Sequence, residues 1–497
     1  MHNPLILTVF LQATLYCVNT RVFNNTQGAR IVNGEDAVEG EFPFVGVLIS
    51  SSKFNPSLYT QRGQCGGSIL SKRIILTAAH CVVNEQELQD SSTIFTITMP
   101  INMEFQAGIY KLDESPVTER KYSLAGVVVH AEYDTFDLSN DIALVITKED
   151  IEFNDNIKTI SLPEQTDIAQ LYAEGAPATV IGWGLTETGS LTTELKKLPY
   201  EVVSDSQCKE VYGASIKPGM MCTGRAPMTE KHAAPGDSGG PVFVKKAADD
   251  FVQIGLVSWG PEVSDQDTKT WDVNADVGYY LKWISDNMNA LFTDYVTTTY
   301  AEDTPKSISY QNIRNFLFKT VTILPTDTSK YSTIIFKSGE MGRNDLVMVY
   351  DGSDISSDKQ LAQLTGTISE LTVTATTNKG LTVAIMTDSE GVSEGFTFDY
   401  KQVATQGGST DLVCPSGYKA CTDKYYCLNL ELFCNSQEDS LGECRDGSDE
   451  SLTNCKNNDN NPDNKTDTDP KPNGGDLTLI STTLMLFNLF NFTRFFV

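Results

Sequence analysis

The stretch Gly236-Asp237-Ser238-Gly239-Gly240-Pro241 constrains this chain more than any other. Glycine costs roughly 0.5–1 kcal/mol inside a helix or strand, and proline removes a backbone donor, so neither element runs through it. What remains is a tight turn presenting a small hydroxyl, Ser238, beside one carboxylate, Asp237. A serine hydroxyl is a poor nucleophile until a base takes its proton. Far upstream, Thr77-Ala78-Ala79-His80-Cys81 holds a candidate base, and Asp141-Ile142-Ala143-Leu144 lies between the two. Spacing alone does not make His80, Asp141 and Ser238 neighbours.

The 497 residues suit roughly three folded domains at about 150 residues each. A net charge of −28 argues against a nucleic-acid partner, which wants basic surface. The acidity reads as solubility, or as steering of basic partners and calcium binding. Of 11 cysteines, Cys17 falls in an apolar run from Pro4, read as a secretory signal over residues 1–20. The rest are even in number, and six crowd between Cys414 and Cys455. That pattern reads as a disulfide framework formed in an oxidising compartment. No His-Glu-x-x-His is present, so a zinc peptidase of that type is excluded.

From Ile31 to about Leu291, short alternating runs are separated by turn residues, as at Phe44–Ile49, Gly126–His130, Ala178–Ile181 and Val252–Val257. Such runs point to an all-β barrel or sandwich. Tyr279, Trp283, Ile284 and Met288 are spaced for a closing amphipathic helix. The order His80, Asp141, Ser238, each in its own context, resembles the trypsin/chymotrypsin-like serine proteases. The resemblance covers residues 31–293 and implies a chymotrypsin-like double β-barrel. It implies Ser238 as nucleophile, His80 as base, Asp141 as the group orienting the imidazole, and the N–H groups of Gly236 and Ser238 as oxyanion donors, with no cofactor for catalysis. Residues 21–30 then read as an activation peptide. Cutting after Arg30 would free an ammonium on Ile31 to pair with Asp237. The resemblance also implies the disulfides Cys65–Cys81 and Cys208–Cys222, and a substrate-pairing strand at Ser258-Trp259-Gly260 next to the primary pocket. His130 reads as a surface residue outside the chemistry.

Residues 297–403 are again β-like, with Asp345–Gly352, Leu381–Asp388 and Gly395–Tyr400 resembling a CUB domain, although without cysteines. Asp345 and Asp388 stand where some CUB domains bind calcium. Residues 413–456 resemble an LDL-receptor class A module, a small disulfide-rich calcium-binding unit. That resemblance implies Cys414–Cys427, Cys421–Cys444 and Cys434–Cys455, and calcium ligands at Asn435, Glu443, Asp449 and Glu450. Residues 457–476 are polar and read as a disordered spacer. The apolar tail 477–497 reads as a GPI-anchor signal, a membrane-spanning segment, or neither. Asn24 and Asn464 lie in glycosylation acceptor patterns.

The departures from the family concern specificity. The position that holds aspartate in trypsin-like members is His232 here, and one pocket disulfide is lost, with Ala234 in place of a cysteine. Asp272 falls where the family has a pocket glycine. It would select a basic side chain from the opposite wall, pair with His232, or face solvent. The expectation is a secreted or surface-anchored serine endopeptidase, extracellular, made as a zymogen. It acts on protein or peptide substrates and carries accessory domains for extracellular protein ligands. The alternative is a cell-surface binding receptor with a pseudoprotease domain.

Overall fold

Alternating apolar residues separated by turns close into two six-stranded barrels. The computed structural model describes residues 34–50, 63–87, 93–112, 121–184, 192–224, 232–247, 250–260, 270–342, 344–407, 418–420 and 427–429. In the first barrel, β1 (Val45–Ser50), β2 (Gly63–Ile69), β3 (Ile74–Thr77), β4 (Met103–Ala107), β5 (Lys121–Val129) and β6 (Ala143–Thr147) pair in the ring order β1-β2-β3-β6-β5-β4. In the second, β7 (Pro177–Gly182), β8 (Lys196–Val203), β9 (Met220–Gly224), β10 (Pro241–Ala247), β11 (Asp250–Trp259) and β12 (Asp272–Asp276) pair in the ring order β7-β8-β9-β12-β11-β10. The two orders are the same, so one topology occurs twice. Closure leaves no exposed edges on either ring.

The barrels meet along a shared apolar layer that includes Leu76, Leu144, Leu256 and Ile284. Ile284 is carried on the helix Leu281–Ala290, with Trp283 and Met288 packed beside it. Tyr279 is a correction. It precedes the helix and is 59% exposed, while Tyr280 turns into the core. Among the described residues, two disulfides form, Cys65–Cys81 and Cys208–Cys222.

The second unit is built of two sheets. One contains β13 (Val296–Ala301), β15 (Phe318–Pro325), β17 (Leu346–Asp351), β18 (Gln360–Leu364) and β21 (Leu381–Met386) in the order β13-β15-β21-β17-β18. The other contains β14 (Lys306–Ile313), β16 (Tyr331–Glu340), β19 (Thr367–Ile368), β20 (Leu371–Thr374) and β22 (Ser393–Val403), built around the pairs β14–β22 and β22–β16. Ile323, Ile334, Phe336, Val347, Val383 and Phe398 fill the space between them. Alternate residues of the first sheet, Phe318, Leu346, Met348, Tyr350 and Met386, instead join the core of the first barrel. Two short strands, β23 (Tyr418–Ala420) and β24 (Cys427–Asn429), extend that sheet, with Leu428 opposite Gln363.

Several expected features lie outside the described residues. They are the signal and activation segments with Arg30 and Ile31, the acceptors Asn24 and Asn464, the carboxylates and amide at 435, 443, 449 and 450, the side chains of the six clustered cysteines, and the chain after 429. Among the described residues, no helix is long and apolar enough to cross a membrane.

Candidate active site

β3 ends at Thr77, and the single turn Ala79–Cys81 follows it. Ala78 and Ala79 are fully buried there, so larger side chains would push the turn off the barrel. The turn aims His80 toward Asp141, which leads into β6. His80 Nδ1 lies 2.8 Å from Asp141 Oδ2, and the His80 backbone N–H donates to Asp141 Oδ1 at 2.9 Å. Ring and backbone are thus held by one carboxylate, which fixes the imidazole's orientation. The Cys65–Cys81 bridge ties the same turn to β2.

From the other barrel, Ser258 Oγ donates to Asp141 Oδ2 at 2.5 Å. The sequence had placed Ser258 only on the substrate strand, and no signal in the sequence marks this contact. Burial alone would push the Asp141 carboxyl up. The charge and hydrogen bonds of His80, with Ser258, outweigh it and hold the group below the usual carboxylate range.

Ser238 sits on the turn before β10 and is 2% exposed. Its carbonyl accepts from Gly66 N–H of β2 at 2.7 Å, so the turn is stitched to the first barrel. The expected need for glycine is met, since Gly236 has φ +103, a conformation side chains rarely adopt. Asp237 points away from Ser238 into the second barrel and accepts from Gly184 N–H at 2.8 Å and Ala234 N–H at 2.9 Å. A Cβ on Gly182 or Gly184 would collide with its carboxylate. Trp183 between them is buried, with its indole N–H donating to Tyr110 O at 3.1 Å. Burial, with the charge of Asp272 nearby, raises the Asp237 pKa to about 7 against those donors.

Asp272 does not face solvent. It is 2% exposed on β12, opposite Thr223. One oxygen lies 3.3 Å from His232 Nδ1, and the other accepts from Ala233 N–H at 2.8 Å and from the Tyr200 hydroxyl. The pairing of Asp272 with His232 is therefore the alternative realised, and Tyr200 is a partner that sequence reasoning missed. β11 ends at Trp259, with Gly260 just beyond it, and the Trp259 ring lies 5.1 Å from that of Tyr212. His130 is half-buried, not a surface residue, and packs 5.5 Å from Trp283 and 5.6 Å from Tyr280. Gln253, fully buried on β11, accepts from Ser68 Oγ at 2.6 Å, another tie across the barrels.

The His80–Asp141 pair and the turn carrying Ser238 are thus each tied across the two barrels, through Ser258 and Gly66. The trypsin family profile matches residues 31–284, about half of the chain. Phenoloxidase-activating factor 1 of Holotrichia diomphalia is 31% identical over 268 residues, 52% of this chain and 70% of that protein. Trypsin-1 of Astacus astacus is 30% identical over 259 residues, 52% of this chain and 99% of that protein. Chymotrypsin-C of Bos taurus is 29% identical over 57% of this chain and 97% of its own length. The twice-repeated barrel and these matches agree: the chain belongs to the trypsin family of serine proteases and is a serine endopeptidase.

Proposed function

We propose that Ser238, His80 and Asp141 carry the peptidase reaction and that the chain is a secreted zymogen activated by cleavage after Arg30. His80 Nε2 takes the Ser238 proton as Oγ attacks the substrate carbonyl, then returns it to the leaving amine. Asp141 keeps Nδ1 protonated and balances the imidazolium. The N–H groups of Gly236 and Ser238 receive the developing oxyanion, each worth roughly 2.7–4 kcal/mol. The observation that carries this reading is the buried Asp141 carboxylate gripping both the ring and the backbone of His80. In the zymogen step the new Ile31 ammonium pairs with Asp237, whose burial makes a positive partner strongly favourable. The test is a fluorophosphonate probe on chain cut after Arg30. Labelling is expected and should vanish in Ser238→Ala. A folded, cut chain without labelling would instead favour a receptor carrying a pseudoprotease domain.

The pocket reading departs from trypsin. Both Asp272 oxygens are engaged by His232, Tyr200 and Ala233, so a substrate Arg or Lys would have to displace buried donors to reach the carboxylate. The selectivity of the cut enzyme should therefore not be basic at the cleaved position. A peptide library dominated by Arg and Lys would overturn this. Asp272→Ala should act on stability, lowering it by about 1–3 kcal/mol, because the buried hydrogen bonds from Tyr200, His232 and the Ala233 N–H to the carboxylate are lost.

Residues 297–403 act as a CUB-like domain and 413–456 as a class A module for extracellular protein ligands. Asn435, Glu443, Asp449 and Glu450 would hold calcium in that module, since an all-oxygen donor set suits that ion. The tail 477–497 would serve as a GPI-anchor signal or membrane anchor.

A further inference from the structure

The two-sheet unit packs against the first barrel in an apolar cluster that includes Ala79 and Cys81, the residues flanking His80. Along β17, Val347 and Val349 face the unit's own core, while Leu346, Met348 and Tyr350 share a core with Ala78, Ala79, Cys81 and Val82. The turn between β14 and β15 carries this contact furthest. Phe316 is 2% exposed and sets its ring 5.7 Å from Tyr133. Its φ is 50, a left-handed backbone that persists in an aromatic residue only where the surroundings over-determine it. One such constraint is the Phe316 N–H, which donates to Asp388 O at 3.0 Å. Two residues earlier, Arg314 donates through Nη1 to Val129 O at 3.2 Å and through Nη2 to the Tyr295 hydroxyl at 3.3 Å. Leu317 forms an antiparallel bridge with Val128.

Val129 and Tyr133 open the segment that runs from β5 to Asp141. The segment is tightly folded: Leu138 and Asn140 both hold φ 56, and Asn140 Nδ2 donates to Glu132 O at 2.7 Å. Tyr133 is 6% exposed. Burial, with the charges of Asp141 and Asp134, pushes its hydroxyl pKa up. Val129 pairs with Ala143, and the His130 N–H donates to Ile142 O at 3.2 Å, so the segment that Arg314 and Phe316 touch is tied through the backbone to the residues directly after Asp141.

We propose that the second unit is a fixed part of the active site, with Arg314 and Phe316 acting as positioning residues that clamp residues 129–141 and so hold Asp141 against His80. The proposal rests on the triad reading above. It also means that the face of the unit bearing Leu346 and Met348 is committed to the protease and is not a surface for external ligands.

The test uses the whole chain cut after Arg30, as wild type and as Arg314→Ala, Arg314→Lys, Phe316→Ala, Phe316→Leu and Ile334→Ala. Ile334 is fully buried between the two sheets of the second unit and controls for lost stability alone. At a temperature where all are folded, Phe316→Ala and Arg314→Ala should lose about tenfold or more in kcat with KM little changed, as expected when a positioned group shifts by a fraction of an ångström. Phe316→Leu and Arg314→Lys should recover part of the loss, and Ile334→Ala should keep wild-type kcat. Wild-type kcat in both alanine variants overturns the clamp, as does an equal loss in Ile334→Ala. If Phe316→Ala does not fold, Arg314→Ala decides alone. A wild-type chain that the fluorophosphonate does not label overturns the triad reading and the clamp with it. A labelled wild type with unaltered variants overturns the clamp only.

Discussion

Asp141 and Asp237 are both fully buried, yet they are displaced in opposite directions. Asp141 has His80 beside it and stays below the ordinary range, whereas Asp237 has backbone N–H groups and a second carboxylate nearby and rises to about 7. The consequence for Asp237 has a definite sign. Folded, it holds its proton up to about pH 7, and its ordinary value is 3.8. The folded chain therefore binds more proton between those limits, and stability falls as pH rises from about 4 to about 7, by at most on the order of 4 kcal/mol. Once Ile31 supplies an ammonium, the carboxylate is the favoured form and this loss should disappear. Thermal midpoints of uncut and cut Ser238→Ala chain across pH 4 to 8 measure it, because the other carboxylates are common to both. Parallel profiles would sink the ion-pair account of activation.

At the same scale, His80, Asp141, Ser238 and the glycine turn were legible because each has a local sequence context that few other folds require. Ser258 and Tyr200 were not, since their contacts with Asp141 and Asp272 cross 117 and 72 residues and leave no local trace.

Among the elements, the strands read most easily from sequence are those with one face in a core. Lys121–Val129 begins with a strict exposed-buried alternation. The hardest were Val296–Ala301 and Lys306–Ile313, threonine- and serine-rich edge strands with little apolar alternation. A different signal was present at Leu346-Val347-Met348-Val349-Tyr350 and at Leu381–Met386. Both runs are apolar or buried without a break. Unbroken apolar strands mean that both faces are covered. The second cover is the first barrel, so these runs already encoded the contact between units. Sequence could not name the partner, because any apolar surface satisfies the same pattern.

For the molecule as a whole, that shared core decides how the chain should come apart. Separate modules on a flexible linker would melt independently. Here Phe318, Met348 and Met386 of one unit and Ile97, Phe105 and Val127 of the other belong to one continuous apolar cluster. Exposing it costs both partners, since each Å² of apolar surface returned to water opposes separation by about 25 cal/mol. The four tryptophans, Trp183, Trp259, Trp271 and Trp283, all lie in the protease unit, so their fluorescence reports that unit alone. Ile334→Ala lies in the other unit and should cost about 2–5 kcal/mol. If the units unfold together, this substitution lowers the tryptophan-detected midpoint, and calorimetry shows one transition for both. A tryptophan midpoint that stays at the wild-type value while calorimetry gains an earlier, separate transition would mean that the barrel does not depend on its neighbour.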